Sequence, residues 1–132
     1  MRIVDLAPAE FGVDPRFSGS VSGADFIPAE DPSLHAFVVS FEAGSRTAWH
    51  SHANGQLLIC IEGRGYVGTR DGKILELVPG GTVWTDPAEE HWHGAAAETG
   101  MKHIAVQTRP PESGEREVHW LEPVNVADTV GR

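Results

Sequence analysis

Apolar and polar residues alternate with a period of two along several short stretches of the chain, the signature of half-buried strands. No helical periodicity stands out ahead of the C-terminal tail. His35 to Phe41 is β-branched and aromatic, with Phe37, Val39 and Phe41 on one face, and it ends at Glu42-Ala43-Gly44. Gln56 to Ile61 is a second strand, closed by Glu62-Gly63-Arg64-Gly65. Tyr66 to Thr69 runs into Arg70-Asp71-Gly72, a hairpin signal. Lys73 to Val78 alternates until Pro79-Gly80-Gly81 breaks it, and Thr82 to Thr85 is short and β-prone before Asp86-Pro87 turns the chain again. Met101 to Thr108 sets Met101, His103, Ala105 and Gln107 on one face and Lys102, Ile104 and Val106 on the other. Phe17 to Gly23 reads as one short strand with a turn at its end, and Val118 to Val124 as an added edge strand. Short strands separated by turn signals every 8 to 12 residues or so predict a sandwich or barrel.

With 132 residues, 40% apolar and 22% charged, the chain is expected to form one domain with its own core and no covalent staples. Its barrel would span about residues 35–108, between an arm over 1–34 and a tail over 109–132. Pro110 to Glu115 is expected as a linker or exposed loop, and the last few residues as frayed ends. The net charge of −9, from 10 basic against 19 acidic residues, argues against nucleic acid and an anionic membrane surface. The one cysteine, Cys60, lies in an apolar run and reads as a buried thiol. A single cysteine, no signal-like N-terminus and no apolar run of membrane-spanning length together suggest a cytoplasmic protein.

The chemistry sits in two histidine pairs. His50 and His52 alternate within Arg46 to His52, and His91 and His93 repeat the arrangement, so four of the seven histidines fall in these pairs. Residues i and i+2 of a strand share a face, so each pair can offer two imidazoles to one ion. Gln56 follows at the start of the next strand and is expected to face His50 and His52 across a hairpin, while His91 must come from a distant strand.

The order Gly44, His50, His52, Gln56, Gly63, spaced G-x5-H-x-H-x3-Q-x6-G, resembles the first signature motif of the cupin superfamily, and Gly81, Pro87, His91, spaced G-x5-P-x3-H, resembles the second. Gln56 stands where the family usually has Glu, and Ala88 and Ala95 stand where Gly and Asn are common. The resemblance implies an all-β, single-domain cupin, an antiparallel jelly-roll barrel of six or more strands. Residues 44–56, His91 to Ala96, His103 to Gln107 and the Val118, Trp120, Glu122 tail are further similar to small cupins that include bacterial manganese-dependent hydroxynitrile lyases.

That resemblance implies one divalent transition metal ion on His50, His52, Gln56 and His91, with Mn placed first and Fe, Ni or Zn as alternatives. It puts Phe37 and Val39 on the substrate cavity wall. It also implies a homodimer or higher homo-oligomer, for which the Gly-rich arm with Phe11, Phe17 and Phe26 would supply the pairing segment. Three His and one Gln are neutral ligands, so the centre would keep a formal charge of about +2, where a Glu ligand would leave about +1; the more positive centre favours anions and acidifies a bound hydroxyl.

Three neighbours are candidate catalytic residues. His103 is the first choice for general acid–base work, Gln107 for orienting substrate, and His93 for proton transfer or, alternatively, metal ligation. A hydrogen-bonded core pair is the ordinary alternative for His103 and Gln107. Arg46 is a pocket cation or a surface residue. The four tryptophans are expected to pack, His35 and His119 to be unremarkable surface or strand-end residues, and Glu89 and Glu90 to lie in a solvated turn or to bond a ligand imidazole. The expected activity is a small-molecule lyase that cleaves or forms cyanohydrins. A quercetin-dioxygenase-like oxygenase and a non-catalytic metal and small-molecule binding module are the alternatives.

Overall fold

The structure, a computed structural model, describes residues 1–27, 33–109 and 116–125. Among the described residues there are thirteen strands and no helix. They are β1 (Ala9–Glu10), β2 (Phe17–Ser18), β3 (Val21–Asp25), β4 (Leu34–Phe41), β5 (Arg46–Thr47), β6 (His50–His52), β7 (Gln56–Gly63), β8 (Gly65–Thr69), β9 (Ile74–Leu77), β10 (Thr82–Thr85), β11 (His91–Ala95), β12 (Met101–Thr108) and β13 (Val118–Trp120).

All pairings are antiparallel, and they build two sheets. One has the order β1-β3-β4-β12-β7-β10. The other centres on β11, which pairs with β8 on one side and with β5 and β6 on the other; β9 extends β8, β2 extends β5 and β13 extends β6. Thus β5 and β6 are two pieces of one strand, interrupted at Ala48 and Trp49. The expected Phe17 to Gly23 strand is two strands instead. Gly19 turns between them at φ 88°, and β2 and β3 belong to different sheets. The short β1 and β5 are too brief to show a period. The expected loop over Pro110 to Glu115 and the frayed last residues lie outside the described residues.

Inward side chains of both sheets close the core: Val21, Val39, Phe41, Leu58, Cys60, Val67, Leu77, Met101 and Ala105. Cys60 is a free, buried thiol, as its apolar run predicts. Leu58 sits on the central strand β7 and is fully buried. Replacing it by Ala is expected to lower unfolding stability by about 2–5 kcal/mol, through lost burial and the void left behind; urea denaturation would measure it.

The glycine that ends the first motif has a steric reason to be there. Gly63 has φ 75°, and a Cβ would lie 1.9 Å from the Gly100 carbonyl oxygen. In the second motif Ala88 takes φ 64°, a left-handed conformation that costs a residue with a Cβ roughly 1–2 kcal/mol. That explains why Gly is at home in this position. The strained turn aims the Glu89 carbonyl at a site histidine.

Candidate metal centre

The interrupted strand and β11 bring the histidine pairs together. His91 is the direct cross-strand partner of His50, and their rings lie 4.4 Å apart. The His52 ring is 5.0 Å from that of His50 and 5.2 Å from that of His91, and the His93 ring is 5.1 Å from that of His50. His50, His52, His91 and His93 are all buried. Gln56 joins them from the other sheet. Its strand, β7, does not pair with β6, so the expected approach across a hairpin is replaced by one across the barrel interior. The result is the same proximity: Gln56 Oε1 lies 3.3 Å from His91 Nε2.

The hydrogen bonds set the chemistry of these atoms. His50 Nδ1 donates to the Ala48 carbonyl at 2.9 Å, and His91 Nδ1 donates to the Glu89 carbonyl at 3.0 Å. In a neutral imidazole, each Nε2 is then a lone-pair donor to metal. Gln56 Nε2 donates to Gln107 Oε1 at 2.8 Å, so it is the amide oxygen that faces His91. Two acceptors, Gln56 Oε1 and His91 Nε2, therefore face each other in a buried site. Both ring nitrogens of His52 are also buried without a hydrogen-bond partner. A cation in this buried site would relieve the facing acceptors, and imidazole and amide donors suit a divalent transition metal.

Burial keeps the imidazoles neutral, the form that binds metal. It drives His52 down to about 3, helped by His91 nearby, and drives His50 well below its ordinary value, helped by His91 and His52. His91 is lowered by burial as well, against the pull of the Glu89 carbonyl. His50, His91 and His93 can each offer a ligand atom within 4.8 Å of the others. His93 and His52 thus compete geometrically for the third imidazole position.

A cavity of about 400 Å³ opens onto this cluster. His50, His52, Gln56 and His93 line it, and Phe37 and Val39 form part of its wall. Phe11, Phe17 and Trp120 add aromatic surface, with the Trp120 ring stacked on His50 at 4.5 Å. His103 does not line the cavity. It is fully buried behind His93, and its Nε2 is 2.9 Å from His93 Nδ1. Phe41 packs on both rings. Burial pushes His103 down to about 3 and His93 well below its ordinary value, the neighbouring imidazoles adding to the effect. Gln107 reaches the cavity, but both ends of its amide are engaged, with Gln56 and with Glu117.

Arg46 sits half-buried on β5 and is not part of the cavity lining. The arginine in that lining is Arg16, clamped by Asp14 at 2.7 Å with its guanidinium 5.3 Å from the ring centres of both Phe11 and Phe17. His35 is no bystander either. It lines the cavity and bridges Asp25 Oδ1 at 3.0 Å and Glu117 Oε2 at 2.7 Å; the Glu117 bond raises its pKa against the opposing effect of burial. Arg16 and Glu117 lie in segments without periodic pattern, where no motif marks them. Glu89 serves through its backbone carbonyl, and Glu90 pairs with Arg70 at 2.8 Å rather than with an imidazole. Of the tryptophans, Trp49 and Trp92 pack as expected, Trp84 is 54% exposed, and Trp120 belongs to the cavity.

Comparison with known proteins agrees with this architecture. Residues 37–107 match the profile of the cupin domain family. An (R)-mandelonitrile lyase of Granulicella tundricola is 44% identical over 109 residues, spanning 82% of this chain and 81% of that protein. The crystal structure of a cupin-like protein from Thermotoga maritima superposes with a TM-score of 0.79 at 32% identity, covering 89% of this chain and 87% of the other. The polyketide cyclase RemF of Streptomyces resistomycificus superposes with a TM-score of 0.72 at 18% identity, covering 84% and 82% of the two chains, which shows the shared fold alone.

Proposed function

Because this chain belongs to the cupin domain family, we propose that it is a metal-dependent lyase that cleaves cyanohydrins to an aldehyde and hydrogen cyanide, and forms them in reverse. The ligands are His50, His52, Gln56 and His91, and Mn is the metal placed first. The observation that carries this reading is the buried, all-neutral donor set, in which Gln56 Oε1 confronts His91 Nε2 at 3.3 Å beneath an apolar cavity. The similarity to a mandelonitrile lyase supports the reaction class. A divalent ion held there would supply Lewis acidity to the substrate hydroxyl and positive charge toward the cyanide that departs.

The protein's own groups do the rest. His93 lines the cavity, and its buried, unpartnered Nε2 is the atom proposed to take the hydroxyl proton. Its Nδ1 passes a proton to His103 Nε2 across their 2.9 Å contact, so the positive charge spreads over two rings. As the hydroxyl oxygen becomes the aldehyde carbonyl, the carbon–carbon bond to the nitrile breaks and its electron pair leaves with cyanide. The histidine pair then returns the proton to cyanide. Phe37, Val39 and Trp120 hold the organic substituent and keep water from the departing anion.

Metal removal tests the reading. Cyanide release from mandelonitrile should fall to the uncatalysed rate after chelation, return on adding Mn2+, and need no oxygen. Undiminished cleavage by metal-free protein would rule the lyase reading out.

A further inference from the structure

Gln56 is unusual among the proposed ligands because only one end of its side chain can serve. The amide oxygen binds a metal; the NH2 end does not. A half-turn of the amide exchanges the two ends with almost no change of shape, so packing alone does not choose between them. Local hydrogen bonding favours the wrong choice, since a turned amide would donate from Nε2 to the lone pair of His91 Nε2. The observed orientation instead sets two acceptors against each other at 3.3 Å. Something must hold it there.

We propose that Glu117, acting through Gln107, fixes the Gln56 amide with its oxygen toward the metal centre, making Glu117 and Gln107 positioning residues for a metal ligand. This rests on the metal-centre reading above. A carboxylate only accepts hydrogen bonds, so the Gln107 amide must turn its NH2 to Glu117 Oε2. That leaves Gln107 Oε1 to accept from Gln56 Nε2 at 2.8 Å, and Gln56 Oε1 is left to face His91. One charged end therefore sets the direction of both amides.

Glu117 is well placed to hold that end. His35 Nδ1 lies 2.7 Å from its Oε2, and Arg109 Nε lies 3.6 Å from its Oε1. Burial raises the Glu117 pKa, but the bonds from His35 and Gln107 outweigh burial and keep the carboxyl below its ordinary value. Its carbonyl accepts from the Ala53 amide at 3.1 Å, and the next residue begins β13, which pairs with the ligand strand β6. The chain that supplies the carboxylate is thus tied to the strand that supplies His50 and His52.

The test is a rescue experiment read by metal binding, without substrate. Glu117→Gln lets the chain end donate as well as accept, so the direction of both amides is lost. Its dissociation constant for Mn2+ should rise by about 10–100-fold, the usual cost of losing a partner that orients a metal ligand. The visible spectrum of the Co2+-loaded protein should change with the loss of an oxygen ligand. Gln107→Leu removes both bonds and should show the same losses.

The double variant Glu117→Gln/Gln107→Glu moves the carboxylate one step inward, where it accepts from Gln56 Nε2 and from the new amide. Affinity and spectrum should return toward those of the parent, although the contacts of Glu117 with His35 and Arg109 remain altered. Parent-like binding by Glu117→Gln, or a double variant as weak as the single one, would overturn the proposal. So would a parent that takes up neither ion. A parent that binds ion but does not cleave cyanohydrins would defeat only the lyase reading.

Discussion

Replacing His91 by Ala is expected to abolish metal uptake and, with it, cyanohydrin cleavage. His91 stands between the two halves of the proposed ligand set. It pairs across strands with His50, and its Nε2 meets the Gln56 oxygen that reaches over from the opposite sheet. Its Nδ1 is already committed to the Glu89 carbonyl, so the ring has one orientation and one available lone pair. His52 and His93 flank it, with ring centres 5.2 and 5.7 Å away. Loss of an orienting partner alone costs about 10–100-fold in metal affinity, and loss of a ligand should exceed that range. Elemental analysis of protein purified without a histidine tag would check the metal, and cyanide release the activity. Metal content equal to that of the parent would show that the ligand set is wrong.

Replacing His103 by Leu is expected to separate proton transfer from metal binding. His103 touches neither the cavity nor the proposed ligands, yet its Nε2 is the hydrogen-bond partner of His93 Nδ1. Without it, His93 loses the group that accepts its second proton, and its Nδ1 is left buried and unpartnered. Turnover should fall by about 100-fold or more, the range in which general acid–base groups act. The metal content should stay at one ion per chain, and mandelonitrile should still bind. Unchanged turnover would make the His93–His103 contact a packing feature.

Much of this site is legible in the sequence, and the rest is hidden for definite physical reasons. Strands β7, β12 and the second half of β4 show a period of two because one of their faces meets the core, whereas β9 buries only Leu77 fully and leaves Leu75 exposed. The spacing of His50, His52, Gln56 and His91 reads as a motif because a cupin barrel fixes where its strands cross. Periodicity assigns a residue to a face, however, and not to a sheet, so Gln56 was expected across a hairpin when it comes from the opposite side of the barrel.

Arg16, His35 and Glu117 are harder still. Arg16 and Glu117 lie in the arm and the tail, where no alternation marks a buried face, and they reach the cavity only through pairing of β2 with β5 and of β13 with β6. His35 does lie on a legible strand, but its importance depends on two carboxylates, one of them 82 residues away in sequence. The likeness to a mandelonitrile lyase extends the motif reading to a reaction class. The hydrogen bonds around Gln56 bear on the proposed metal centre and not on the reaction itself.

The most direct test of the account is where a metal ion sits. Crystals grown with Mn2+ should give one anomalous-scattering peak per chain, within bonding distance of His50 Nε2, His52, His91 Nε2 and Gln56 Oε1. A peak held instead by His50, His91 and His93, with Gln56 turned away, would contradict the account.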